Sequence, residues 1–175
     1  YEIPLCLVGS EMCIRDRCNP LFAYTTKQQN NGNLAAGKIV KASGVEKGKE
    51  HLSPDKIVDG IKSGNSRWSS EFEEMQWIYV DLGEKMALNK VNLFWENPAV
   101  KYKVQLSNSA YDYDWTTVYS ADNNVDKENI VLFEAYEARY IRVLCEERTP
   151  VLGVKYGYSC LLYTSPSPRD VEESR

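Results

Sequence analysis

The chain has 175 residues, 21 Lys and Arg against 25 Asp and Glu, a single histidine and a formal net charge of −4. A mildly acidic chain with no basic stripe excludes nucleic acid and anionic membrane as default partners. With one histidine, no His/Cys metal cluster and no Ser-His-Asp arrangement is visible, and no segment approaches the length of a membrane span.

In chain order, the head comes first and has a counterpart in the tail. Residues 7–16 and 160–170 can be encoded by one DNA element read in opposite orientations, and that element looks like a transposase-type sequencing adapter. Residues 1–17 and 160–175 are therefore set aside as adapter-derived. The apolar run 3–8 has no basic flank and is too short to span a bilayer, so it does not read as a signal peptide. Residues 18–32 are polar and end in Gln28-Gln29-Asn30-Asn31-Gly32, the composition of a linker. What remains, 33–159, has the usual size of one domain and is long enough to bury a core without disulfides. Of the five cysteines, only Cys145 lies well inside it, as a small buried apolar residue rather than a nucleophile.

Within the domain, Ser53-Pro54-Asp55-Lys56-Ile57-Val58 predicts a single helical turn, with Ser53 as cap and Pro54 at its first position. The dominant period after that is two. Ile78, Val80 and Leu82 share one face of a strand, and Trp77 and Tyr79 lie on the other, so both sides are expected to be covered. Residues 90–95 follow. Then Val100, Tyr102, Val104 and Leu106 alternate with Lys101, Lys103 and Gln105. Residues 115–119, 129–133 and 139–144 are further strands, separated by turn clusters such as Ser63-Gly64-Asn65 and Asp122-Asn123-Asn124. Short strands at this spacing predict an all-β antiparallel sandwich or jelly roll. Trp68 and Trp115 are large enough to fill the space between its sheets.

The strings NLAAGKIVKAS (33–43), DKIVDG (55–60), SRWSSE (66–71), QWIYVDLG (76–83), VNLFWE (91–96), YKVQLSN (102–108), WTTVY (115–119), ARYIRV (138–143) and GYS (157–159) occur in that order. As a set they resemble the coagulation factor V/VIII type C, or discoidin, domains. The likeness is closer to family 32 carbohydrate-binding modules appended to bacterial glycoside hydrolases. The resemblance covers nearly all of 33–159 and implies a galactose-binding-like β-sandwich. In the family one more strand, carrying an acidic residue, follows GYS. Here the adapter-like tail begins instead, so the last strand is expected to be missing, leaving an unpaired edge and an unstable or aggregation-prone chain.

The resemblance also implies one structural calcium between the DG turn and the RW motif. Its ligands would be the carbonyl of Lys56, the carboxylate of Asp59, the carbonyl of Ile61 and the oxygens of Ser66, the all-oxygen set that a hard cation takes. Sugars are held by an aromatic face and a few convergent polar groups on loops. The matching segments supply Glu71, Asn97, Arg148 and Tyr156, with His51 on an early loop that can reach the same rim. The arginine-plus-histidine pair of the best-known sugar-binding members is not clearly present, so the sugar stays open. No carboxylate pair stands out for glycoside hydrolysis, and Glu73-Glu74 and Glu146-Glu147 read as solvated surface. The chain is thus expected to be a non-catalytic, extracellular, monomeric carbohydrate-binding module. Its partners would be terminal sugars of a glycan and a covalently linked glycoside hydrolase. The alternative is a cell-adhesion or membrane-surface domain, for which the early loop 45–51 lacks an apolar spike.

Overall fold

A computed structural model describes residues 32–111 and 113–166, with only the backbone of 165 and 166. The head 1–17, the linker before Gly32 and residues 167–175 lie outside the described residues. The elements are β1 (Ile39–Ala42), a 3-10 turn (Pro54–Val58), β2 (Trp68–Ser69), β3 (Gln76–Asn97), β4 (Ala99–Ser107), β5 (Thr116–Ala121), β6 (Glu128–Arg148), β7 (Pro150–Val151), β8 (Val154–Lys155) and β9 (Ser159–Pro166). The main sheet has the order β2-β9-β3-β6-β4-β5, with β1 pairing β3. β7 and β8 form a separate hairpin, and every pairing is antiparallel.

The alternating pattern is realised as expected, but strands read separately in the sequence are joined. Residues 77–83 and 90–95 are two halves of β3, and 129–133 and 139–144 are two halves of β6. The two long strands pair from Gln76↔Cys145 to Phe94↔Glu128, with register breaks between Asp81 and Met86 and between Leu88 and Lys90. Gly83, at φ 90, sits in the first break, where a side chain would be strained. The ladder bends there and continues. Ile78, Val80 and Leu82 before the bend and Leu88, Val91 and Leu93 after it enter one core, together with Trp68, Tyr102, Ile141 and Val143. Each fully buried side chain of this size contributes about 1.5–3 kcal/mol. Cys145 is fully buried among them as a free thiol, and burial raises its pKa well above the ordinary value.

Pro54 opens the 3-10 turn as expected, and the buried Ile57 and Val58 pin it to the core. Ser53 takes the cap position as expected, with its hydroxyl bonding the Asp55 side chain instead of a backbone N–H.

Two expectations are corrected. The last strand is not missing. Residues 159–166 form β9, which sits between β2 and β3 with Cys160 opposite Trp95, Leu162 opposite Leu93 and Thr164 opposite Val91. Cys160, Leu162 and Thr164 are buried, and Tyr163 points the other way, half-buried. A strand position here requires alternating inward apolar or β-branched side chains, and Cys-Leu-Leu-Tyr-Thr supplies them. The edge expected to be open is therefore paired.

Trp115 is the second correction: Trp68 fills the core, Trp115 does not. The inner positions of β4 already hold Tyr102, Val104 and Leu106. Trp115 lies instead against the outward-facing Tyr79 and Tyr140, at ring distances of 5.9 and 6.4 Å, with the Arg142 guanidinium 4.2 Å over its ring. Trp77 stacks on Tyr79 at 5.5 Å. Both sides of the first half of β3 are thus covered, as its sequence predicts.

Candidate functional site

Three loops, 44–52, 69–75 and 148–158, meet at one end of the sandwich. Trp68 anchors the first, its indole N–H donating to the Gly44 carbonyl at 2.9 Å. Backbone bonds Glu46 N to Ser69 O (2.8 Å) and Ser69 N to Leu52 O (3.1 Å) tie the first loop to the second. Ser70 N to Tyr158 O and Tyr158 N to Ser70 Oγ, both 2.9 Å, tie the second to the third. The approach is so close that a Cβ on Gly157 would stand 2.2 Å from the Ser70 carbonyl oxygen, so only glycine fits.

The first two loops leave a cleft of about 420 Å³ lined by Glu46, Lys47, Glu71, Phe72 and Glu73. Three carboxylates therefore face one ammonium and one ring. Phe72 is half exposed, and the Tyr156 ring meets it edge-on at 5.9 Å. Glu46 accepts from Ser69 Oγ and pairs with Lys49, both at 2.7 Å. Burial pushes the Glu46 carboxyl up, but the bonds from Lys49 and Ser69 outweigh it and hold it below the usual range. An aromatic face among carboxylates is chemically suited to a sugar ring that carries positive charge.

The sequence candidates take different places around this cleft. Glu71 lines it, packed over Gly44, where a Cβ would come within 2.9 Å of its carboxyl carbon. Tyr156 backs Phe72 from outside. Asn97 holds the third loop, its side-chain N–H₂ donating to the Gly157 carbonyl at 2.7 Å. Arg148 is engaged with Glu74, at 3.2 Å from Nε to Oε1, and donates through Nη1 to the Lys155 carbonyl at 2.9 Å. His51 is exposed on the first loop and does not line the cleft. Glu46, Lys47 and Phe72 escaped the sequence reading, and Glu73 and Glu74, which read as solvated surface, are corrected: Glu73 lines the cleft and Glu74 is bonded by Arg148 and Tyr158. The available signal was an aromatic residue between acids in Glu71-Phe72-Glu73-Glu74.

The implied calcium ligands gather less completely. Asp59 accepts the Ile61 N–H at 2.8 Å through Oδ1 and the Ser66 hydroxyl through Oδ2. Gly60, at φ 80, makes the reversal that brings Ser66 back. The Ile61 carbonyl accepts from Ser63 N at 3.1 Å. Among the described residues no group of three His, Cys, Asp or Glu side chains is arranged to hold a metal ion. An oxygen-only set with one carboxylate fits a hard, weakly held cation. Beside this loop is a smaller cleft of about 180 Å³, in which the Lys62 ammonium stands 3.6 Å over the Phe94 ring.

The bent two-layer sheet with a loop cleft at one end defines a galactose-binding-like β-sandwich. The chain belongs to the F5/F8 type C family: the model for its NedA-like, galactose-binding domain matches residues 56–143. Among solved structures, it is similar to chitosan-binding module 1 of a chitosanase/glucanase from Paenibacillus sp. IK-5, at 36% identity over 75% of this chain and 97% of that one, with a TM-score of 0.67. Module 2 of the same enzyme, solved in complex with chitotriose, is 32% identical over 76% and 99% of the two chains, with a TM-score of 0.64. A fucose binding module from Streptococcus pneumoniae shares the fold, at 19% identity over 77% and 95% and a TM-score of 0.61. No curated protein matches.

Proposed function

We propose that the domain is a non-catalytic carbohydrate-binding module whose loop-end cleft takes a cationic, glucosamine-type sugar of a polysaccharide. The observation that carries this is the cleft itself, with Glu46, Glu71 and Glu73 around the exposed Phe72 ring. The likeness to two chitosan-binding modules supports the same ligand chemistry. In this reading the module is an extracellular monomer that keeps a covalently linked glycoside hydrolase near its substrate, where tethering multiplies a weak single-site affinity. The Asp59 loop carries one structural calcium, held by Lys56, Asp59, Ile61 and Ser66, that braces the loop.

Calorimetry of the full chain with glucosamine oligomers, their N-acetylated counterparts, and galactose- and fucose-ended sugars tests this. Glucosamine oligomers are expected to bind best and to weaken with salt. Glu71→Gln is expected to lower their affinity about fivefold, the value of roughly one exposed charge pair, and to leave neutral sugars unaffected. A folded chain that ignores every sugar would sink the proposal.

One observation favours a second reading. On the β7–β8 hairpin Val151, Leu152 and Val154 are exposed beside Lys155, with Leu152 at 101%. An apolar tip next to a base suits contact with a membrane surface, although Glu71 and Glu73 would repel anionic lipid. Co-sedimentation with anionic liposomes, run on the same protein, separates the two: pelleting together with silence toward sugars would favour the membrane.

A further inference from the structure

Three hydrogen-bond donors and the Arg148 guanidinium converge on one carboxylate next to the cleft-lining Glu73. Glu74 Oε2 accepts the Arg148 N–H at 2.9 Å and the Tyr158 hydroxyl at 3.0 Å. Glu74 Oε1 lies 3.2 Å from Arg148 Nε and 3.3 Å from Lys155 Nζ. Arg148 precedes the β7–β8 hairpin, and Lys155 and Tyr158 end and follow it, so Glu74 gathers both of its legs. Beyond Glu74, the hairpin is held only at its flanks, where Thr149 Oγ1 donates to the Pro98 carbonyl at 2.8 Å, Asn97 donates to the Gly157 carbonyl and Ser70 pairs with Tyr158. Its strands are two residues each, and Val151, Leu152 and Val154 reach no core. So short a hairpin does not persist in water alone.

The placement of the hairpin matters for the cleft. Tyr156 follows Lys155 directly, and its ring backs Phe72 at 5.9 Å. Phe72 is the aromatic wall of the cleft. Met75, between Glu74 and β3, takes φ 57, and Leu152 at the hairpin tip takes φ 50, a backbone region that non-glycine residues enter at a cost. The two unfavourable turns stand on either side of the same carboxylate contact.

We propose that Glu74 is the positioning residue of the glycan cleft: it straps the β7–β8 hairpin to the 70–75 loop and thereby sets the Tyr156–Phe72 wall. The inference rests on the glycan reading of the cleft. Glu74 stays ionised for this task. Burial pushes its carboxyl up, and the bonds from Arg148, Tyr158 and Lys155 more than reverse that, to below the usual range.

The test uses the full chain, a glucosamine trimer as probe and limited trypsin digestion. Glu74→Ala is expected to weaken the trimer about tenfold through lost pre-organisation, and to speed cleavage after Lys155 about tenfold by local opening. Cleavage at other sites and the melting temperature should stay close to wild type, which a loss of general stability would not allow. Glu74→Gln keeps acceptors for the Arg148 N–H and the Tyr158 hydroxyl. It should restore binding to within about threefold of wild type, and it serves as the readout if the alanine variant does not fold. Equal affinity and equal Lys155 cleavage in all three proteins would overturn the strap. A wild type that binds no sugar would remove the glycan reading alone. Faster cleavage in Glu74→Ala would then still support the strap, and unchanged cleavage would overturn it.

Discussion

At the scale of single residues, a bidentate ion pair stands on the outer face of the sheet. Arg139 forks onto Asp81, with Nε to Oδ1 at 2.7 Å and Nη2 to Oδ2 at 2.8 Å, and the Gly83 N–H adds a third bond at 2.8 Å. The bonds from Arg139 hold the Asp81 carboxyl below the usual range, against the opposing effect of burial. A carboxyl held low in the fold contributes stability that is complete above the unfolded value of about pH 4. That contribution is lost as the pH falls through the lower folded value. Thermal melts from neutral to acid pH should therefore show wild type falling more steeply than Asp81→Asn below about pH 4, with the variant melting lower at neutral pH. Parallel curves would refute the assignment. Among the residues of the candidate cleft, Glu71 was legible because it closes a recognisable string. Glu74 was not, because a pair of acids reads as solvated until the fold returns Arg148 and Tyr158 from more than seventy residues away.

At the scale of elements, the period-two stretches were legible because one buried face leaves that mark on any sequence. The joining of strands was not. Gly83 reads as a turn that ends a strand, whereas the backbone uses its positive φ to bend and continue. The β7–β8 hairpin is too short to leave a pattern. β9 was set aside for its presumed origin, although its alternation meets the steric demand of the slot beside β3. Leu162 of β9, fully buried opposite Leu93, is expected to behave as a core residue. Leu162→Ala is expected to cost about 2–4 kcal/mol in urea unfolding, and Tyr163→Ala, on the outward face, distinctly less. Equal losses, or none, would show that β9 does not dock in this register.

At the scale of the molecule, the ordered motifs made the fold readable, because each string reports a local packing demand and the set allows only one arrangement. The ligand was less readable, because the cleft is assembled from loops whose approach depends on three-dimensional closure. Calcium is a whole-molecule question, since an ion bound only by the folded chain stabilises all of it by about 2.7 kcal/mol at a hundredfold excess over Kd. Chelator is expected to lower the melting temperature by several degrees, about what that energy corresponds to in a domain of this size, and calcium should restore it. Asp59→Asn should abolish the response. A wild-type melt indifferent to both additions would remove the ion from the account.

Asn33 and Thr164 are bonded to one another, Thr164 N donating to the Asn33 side chain at 3.0 Å and Leu34 N to the Thr164 carbonyl at 2.9 Å. Thr164 is five residues along β9 from Ser159, about 17 Å of strand away from the rim where Asn97 meets Gly157. The polypeptide enters and leaves the described domain side by side, with the carboxylate cleft at the distal pole. In the proposed reading, a segment joined at either junction would stand about one strand length from the cleft and leave its opening to the polysaccharide.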